Sequence, residues 1–210
     1  MSQGPQTESK HAHALEALRR SICLATPDED MVLHETALTA EFGMSRTPIR
    51  QILQRLAYER LVETRSGVGT AVVPLRPEHR ARDALVHKGI LEAVLLLDLP
   101  KLSITQHSDI LAISGLASLA GEDDRDLQYD IRSRLHALMS ALIPDPILRD
   151  AFSASYWRIV RWQMSDFAAD APAAAEALRG LVRHLATYEA QNSIDLFNRV
   201  IEAEKLQGSR

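Results

Sequence analysis

The sequence predicts a mostly α-helical protein in two parts: three short helices closed by a small β-hairpin, then an all-α antiparallel helical bundle. Three observations carry this. Ile49, Ile52, Leu53 and Leu56 recur at i, i+3, i+4 and i+7, a helical spacing. Directly after them, β-prone runs flank Ser66-Gly67-Val68-Gly69. Beyond Pro77 the pattern is helical throughout, interrupted by Leu99-Pro100, Gly121, Pro144-Asp145-Pro146 and Ala171-Pro172.

In chain order, residues 1–11 read as a disordered polar tail. Ala14, Leu15, Leu18 and Ile22 give a first helix over Ala12–Leu24, broken by Pro27-Asp28-Glu29-Asp30. Glu35–Phe42 reads as a second helix with Gly43 as its left-handed stop. Ser45 then caps a third helix running to about Glu59, with Pro48 tolerated in the first turn. Helix, glycine turn and capped helix make a helix-turn-helix, and the hairpin of Leu61–Arg65 with Thr70–Val73 makes it winged. The winged unit spans 12–74 and a linker covers 75–78. The bundle occupies 79–206, with helices near 78–98, 105–120, 124–143, 146–167, 172–191 and 193–206.

Composition narrows the function. The 210 residues are 46% hydrophobic and 25% charged, an ordinary globular balance. The longest apolar run, Ala93–Leu97, is too short to cross a bilayer, and the first fourteen residues lack an apolar signal core. With Cys23 as the one cysteine, the expectation is a chain of the reducing cytoplasm, with no membrane partner. Catalysis finds no support: there is no Gly-x-Ser-x-Gly elbow, His-Glu-x-x-His or glycine-rich phosphate loop, so no enzyme is expected.

The net charge of −4 conceals a basic segment. Between Gly43 and Arg76, six arginines less two glutamates give +4, which leaves −8 for the remainder. On the third helix, Thr47, Arg50, Gln51 and Gln54 lie opposite the apolar stripe, with Arg46 at the N-terminal end. Arginine pairs with guanine, glutamine with adenine, and threonine or serine with phosphates or bases, so this face has the chemistry of a DNA-reading helix. Arg65, Ser66, Gly67 and Thr70 place a wing tip beside the duplex.

Glu35–Arg50, with its Ser-Arg-Thr-Pro-x-Arg core, followed by Leu53, Leu56, Leu61-Val62 and Gly67-Val68-Gly69-Thr70, resembles the GntR family of bacterial transcription regulators. The resemblance covers most of 12–74, with Gln51 where the family often has glutamate and Thr39 where it usually has alanine. It implies a dimer that reads a short palindromic operator in double-stranded DNA, here as a repressor. By position, Ser45, Arg46, Thr47, Arg50, Ser66 and Gly67 contact the DNA.

The bundle resembles the ligand-sensing domain of the FCD (FadR-type) branch of that family. The residues are Lys88-Gly89-Ile90-Leu91-Glu92, Leu135-His136, the 141–148 loop and Arg183-His184. The resemblance implies an effector-binding and dimerisation domain, often built on a divalent metal held by one aspartate and three histidines. Here only His136 and His184 stand at histidine positions; Arg132 replaces the aspartate and Leu206 the last histidine. Two imidazoles are too few for a tight site, and Arg132 repels a cation, so no metal cofactor is expected. The alternative, a metal-dependent sensor, would rest on His136 and His184. An arginine in place of a ligand carboxylate is suited to bind an anionic, carboxylate-type effector directly. Lys88 is then a second anchor, with His136, His184 and Tyr188 as hydrogen-bonding walls. The aromatics Phe152, Tyr156, Trp157 and Trp162 read as packing.

Overall fold

The computed structural model describes residues 5–26, 30–67, 69–121, 123–186 and 192–208. The chain divides into two compact units, Met1–His79 and Arg80–Arg210.

In the first unit, α1 (Pro5–Leu24) precedes β1 (Val32–Leu33), α2 (Glu35–Phe42), α3 (Arg46–Tyr58), β2 (Val62–Arg65) and β3 (Gly69–Val72). Helix α1 begins at Pro5 rather than Ala12, so the tail expected as disordered over 1–11 is helical from Pro5 onward. Proline's fixed φ suits a helix's first turn. Gly43 closes α2 at φ 57° and ψ 41°, the left-handed conformation that only glycine adopts without strain. Ile49, Ile52, Leu53 and Leu56 of α3 are all buried, joined in the core by Ile22, Leu38, Leu61 and Ala71.

The wing is a three-stranded antiparallel sheet in the order β1-β3-β2, not a lone hairpin. Val62 pairs with Val72 and Arg65 with Gly69, while Val32 pairs with Ala71 on the other edge of β3. Two residues carry no strand signal of their own; β1 exists because β3 presents an open edge to it.

Buried Glu59 holds this unit together. Arg19 of α1 donates from Nε and Nη2 to both Glu59 carboxylate oxygens at 2.9 and 2.8 Å, and Arg55 reaches the same carboxylate at 3.0 Å. A carboxylate this buried persists only because two guanidinium groups saturate it.

A 3₁₀ turn, Pro77–His79, ends the first unit. The second contains α4 (Arg80–Val94), α5 (Ile104–Leu119), α6 (Arg125–Leu142), α7 (Pro146–Ala169), α8 (Ala171–Ala186) and α9 (Ser193–Gly208). Helix α4 is shorter than the expected 78–98, because its start is taken by the 3₁₀ turn and residues 95–97 form turns. Side-chain caps start five of these helices: Ser103 for α5 in a full capping box with Gln106, Asp124 for α6, Asp145 for α7, Asp170 for α8 and Asn192 for α9. Helix α7 is the central post, packed on α4, α6 and α8 through Phe152, Trp157, Val160, Met164 and Phe167. Buried Asp83 of α4 is clasped to α7 by Arg158 and by the Trp162 indole N–H at 3.2 Å. Arg80 closes on Asp166 through two hydrogen bonds, at 2.7 and 2.5 Å.

Candidate functional site

Ser45, Arg46, Thr47, Arg50, Gln51 and Gln54 are all exposed on α3, opposite its buried stripe. The start of this helix departs from the pattern of α5, α6 and α7. Ser45 occupies the N-cap position with extended backbone, but its side chain makes no capping hydrogen bond, contrary to the role expected from the sequence. No acidic residue lies in the first turn, although the positive end of a helix favours one; α2, whose cap His34 also makes no such bond, has Glu35 there. Arg46 adds a cation at the same end, and its side chain forms no ion pair or hydrogen bond among the described residues. Within the chain this arrangement is unfavourable, and a phosphate placed against it reverses the sign. Residues that break a local rule at an exposed helix start are where an external partner supplies the missing group.

Arg50 is held differently. Its Nε donates to both Glu35 carboxylate oxygens at 3.1 and 3.0 Å. Its side chain remains 63% exposed, so the pair is worth only about 0–1 kcal/mol and yields readily to a base edge or phosphate. Glu35 steers this side chain, a role periodicity alone did not reveal.

On the wing, Ser66 and Gly67 are exposed at the tip and Thr70 is half-buried in β3. Gly67 has φ 76° and Gly69 φ 112°, backbone conformations that favour glycine. Arg65 does not reach past the tip as expected. It pairs with Glu63 and Asp30, each at 3.0 Å, and leans back toward the Val72 carbonyl. The hydrogen bond to Glu63, chief among several causes, raises its pKa. Two exposed carboxylates within reach account for the difference.

In the helical unit the expected effector residues separate. Arg132 is buried on α6, 4% exposed. Its Nε donates to Gln163 Oε1 at 2.8 Å, and its Nη1 to the Gln128 carbonyl and side-chain oxygens at 2.9 and 2.8 Å. Burial lowers its pKa to about 10, so it stays protonated at neutral pH. It forms no ion pair with a carboxylate among the described residues. His136, one turn further on, is half-buried and bonded to Ser153 Oγ at 3.0 Å. It lies among Phe152, Tyr156 and Trp157, its ring stacked at 6° on that of Phe152.

Lys88 and His184 lie elsewhere. Lys88 is paired with Glu92 at 3.5 Å on the outer side of α4; its neighbour His87 is the residue buried against α7, bonded to Ser155. One residue is 100° of helical rotation, enough to exchange the inner for the outer face. His184 is exposed and faces Glu202 at 3.5 Å. Tyr188 lies outside the described residues, as does the side chain of Leu206. Among the described residues no three His, Cys, Asp or Glu side chains converge as a metal site would require. The sequence reading missed Gln128 and Gln163, although Gln128 stands at i−4 from Arg132 and so shares its helix face.

A buried apolar stripe, an exposed polar and cationic face and a flanking wing define a winged helix-turn-helix, an architecture suited to docking on DNA. Residues 10–72 match the family of bacterial regulatory proteins, gntR family. Among solved structures the chain is similar to E. coli McbR/YncC, with a TM-score of 0.69, 13% identity and 95% of each chain covered. It is also similar to a GntR transcriptional regulator from Rhodococcus sp. RHA1, with a TM-score of 0.54, 18% identity, and 96% of this chain and 99% of that one covered. At these identities the two structures speak for the fold. Comparison with curated protein sequences finds no match. The N-terminal unit thus resembles the DNA-binding domain of that family. None of the helices among the described residues is long and apolar enough to cross a membrane.

Proposed function

We propose that the protein is a cytoplasmic, homodimeric repressor of the FCD branch, with no enzymatic activity. It binds a palindromic operator until a small carboxylate-type anion enters the helical unit. The observation that carries the DNA-binding half is the start of α3, uncapped, free of acids and bearing Arg46 without an intramolecular partner among the described residues. Ser45, Arg46 and Thr47 meet phosphates and base edges there, Arg50, Gln51 and Gln54 read bases further along, and Ser66, Gly67 and Thr70 of the wing lie on the backbone. Two copies related by a twofold axis read two half-sites, which makes the operator palindromic. The repressor role follows the family resemblance.

Support for an anionic effector comes from Arg132, a buried guanidinium whose hydrogen bonds all go to neutral oxygens. His136 is the one expected wall residue that keeps company with it on α6. An effector changes DNA affinity only through unequal binding to the competent and incompetent states.

Selection of bound duplexes from a genomic library, followed by titration of the recovered site against salt, tests this reading. The expected result is a palindromic consensus and an affinity that falls linearly on a log–log salt plot. Equal affinity for the recovered site and for random duplex overturns it.

A further inference from the structure

We propose that Glu35 is a positioning residue for base recognition: its carboxylate holds Arg50 as a reader of guanine rather than of phosphate. The proposal rests on the DNA-binding reading and adds the residue that sets its specificity.

Two arginines on the exposed face of α3 are held in different ways. Arg46, in the first turn, makes no side-chain ion pair or hydrogen bond among the described residues and keeps its whole charge. Arg50, one turn along, is paired with Glu35 in the first turn of α2. Fifteen positions separate the two, and they meet because the left-handed turn at Gly43 brings α3 back against α2.

The donors that Glu35 leaves open define the chemistry. A guanidinium carries five N–H donors in a rigid plane, with Nη1 and Nη2 forming its end edge. Glu35 engages only Nε, through both carboxylate oxygens, at 3.1 and 3.0 Å. Neither Nη1 nor Nη2 of Arg50 makes a hydrogen bond among the described residues. The end edge can therefore meet guanine O6 and N7 while the pair with Glu35 stays intact.

Charge then decides between base and phosphate. Beside Glu35 the guanidinium keeps its donors, but the pair as a whole is neutral. A phosphate drawn to Arg50 would also be repelled by the adjoining carboxylate, and the two forces oppose each other. Guanine offers two uncharged acceptors and meets no such repulsion. In the free protein water screens the exposed pair; docking in a groove removes that water and strengthens both the pair and the repulsion. Pinning the side chain also reduces the rotamer entropy lost when it meets a base.

The test uses the full-length protein, the duplex recovered by the genomic selection and a random duplex of equal length. Variants of the recovered duplex replace each G·C pair of one half-site by A·T. For Glu35→Gln, affinity for random duplex should rise, with a salt slope steeper by about one. The ratio of specific to random affinity should fall about ten-fold. A damaged fold does not gain affinity for DNA, so the two changes together separate positioning from a structural role. The lost discrimination should lie at the same G·C pair for Glu35→Gln and Arg50→Ala, and the double variant should lose no more than Arg50→Ala. An unchanged ratio and salt slope for Glu35→Gln overturns the role of Glu35 and leaves DNA binding intact. Equal losses on both duplexes overturn it as well and assign Glu35 to the fold. A loss at a different base pair, or a further loss in the double variant, makes Glu35 a direct base contact and overturns positioning. A wild type that binds recovered and random duplexes alike overturns this inference together with the DNA-binding reading.

Discussion

Each unit of this protein buries an arginine in its interior, and the two are treated in opposite ways. Arg19 of the N-terminal unit is matched by the Glu59 carboxylate through two short hydrogen bonds. Arg132 of the helical unit is matched by glutamine amides and a backbone carbonyl, with no carboxylate in ion-pair contact among the described residues. The first is a closed structural joint between α1 and α3. The second is a buried cation held by neutral oxygens alone. A buried cation is evidence of a site when its own unit fails to supply the anion.

The sharpest way to break this comparison is to remove the anion from the closed joint. Glu59→Ala leaves Arg19 buried and unpaired, and should destabilise the N-terminal unit by about 3–5 kcal/mol in denaturant unfolding. A loss below about 1 kcal/mol would mean that water already serves that pair. On the exposed side, Arg46→Ala and Arg50→Ala should each weaken the specific operator by about 1–3 kcal/mol, with unchanged stability. Random duplex should lose far less with Arg50→Ala; equal losses on both would assign Arg50 to phosphate rather than base.

The buried cation of the helical unit should respond with the opposite sign to the closed joint. Arg132→Met removes a charge that nothing inside the unit compensates, and its melting temperature in effector-free buffer should equal or exceed that of the wild type. A drop comparable to that of Glu59→Ala would make Arg132 an ordinary structural cation. The smallest effect separates two serines at helix starts. Ser103→Ala breaks a capping box and should cost about 1 kcal/mol. Ser45→Ala breaks no capping bond, so its stability should be unchanged while its affinity for DNA falls. Unfolding curves and operator titrations of the same two variants decide it.

Much of the first unit was legible because its signals are local. The i, i+3, i+4, i+7 stripe of α3 fixed which face is buried, and with it the exposure of Thr47, Arg50, Gln51 and Gln54. Gly43 announced its left-handed turn because a glycine there serves a backbone need. Arg65 was misplaced because its direction depends on Asp30, far away in sequence and brought near by folding. Of the residues expected to line an effector site, Arg132 and His136 stay together on α6, because i, i+4 spacing survives any packing.

By itself the sequence determined what periodicity, turn chemistry and charge distribution determine: a winged helix-turn-helix with a cationic reading face, followed by helices broken where proline and glycine interrupt them. Only the tertiary structure decided that a two-residue strand completes the wing, that His87 rather than Lys88 turns inward, and that Arg132 is buried against Gln128 and Gln163. The reason is physical. Helix and turn preferences act between residues a few positions apart, whereas burial and the fate of each polar atom depend on neighbours that the chain brings together only once it has folded.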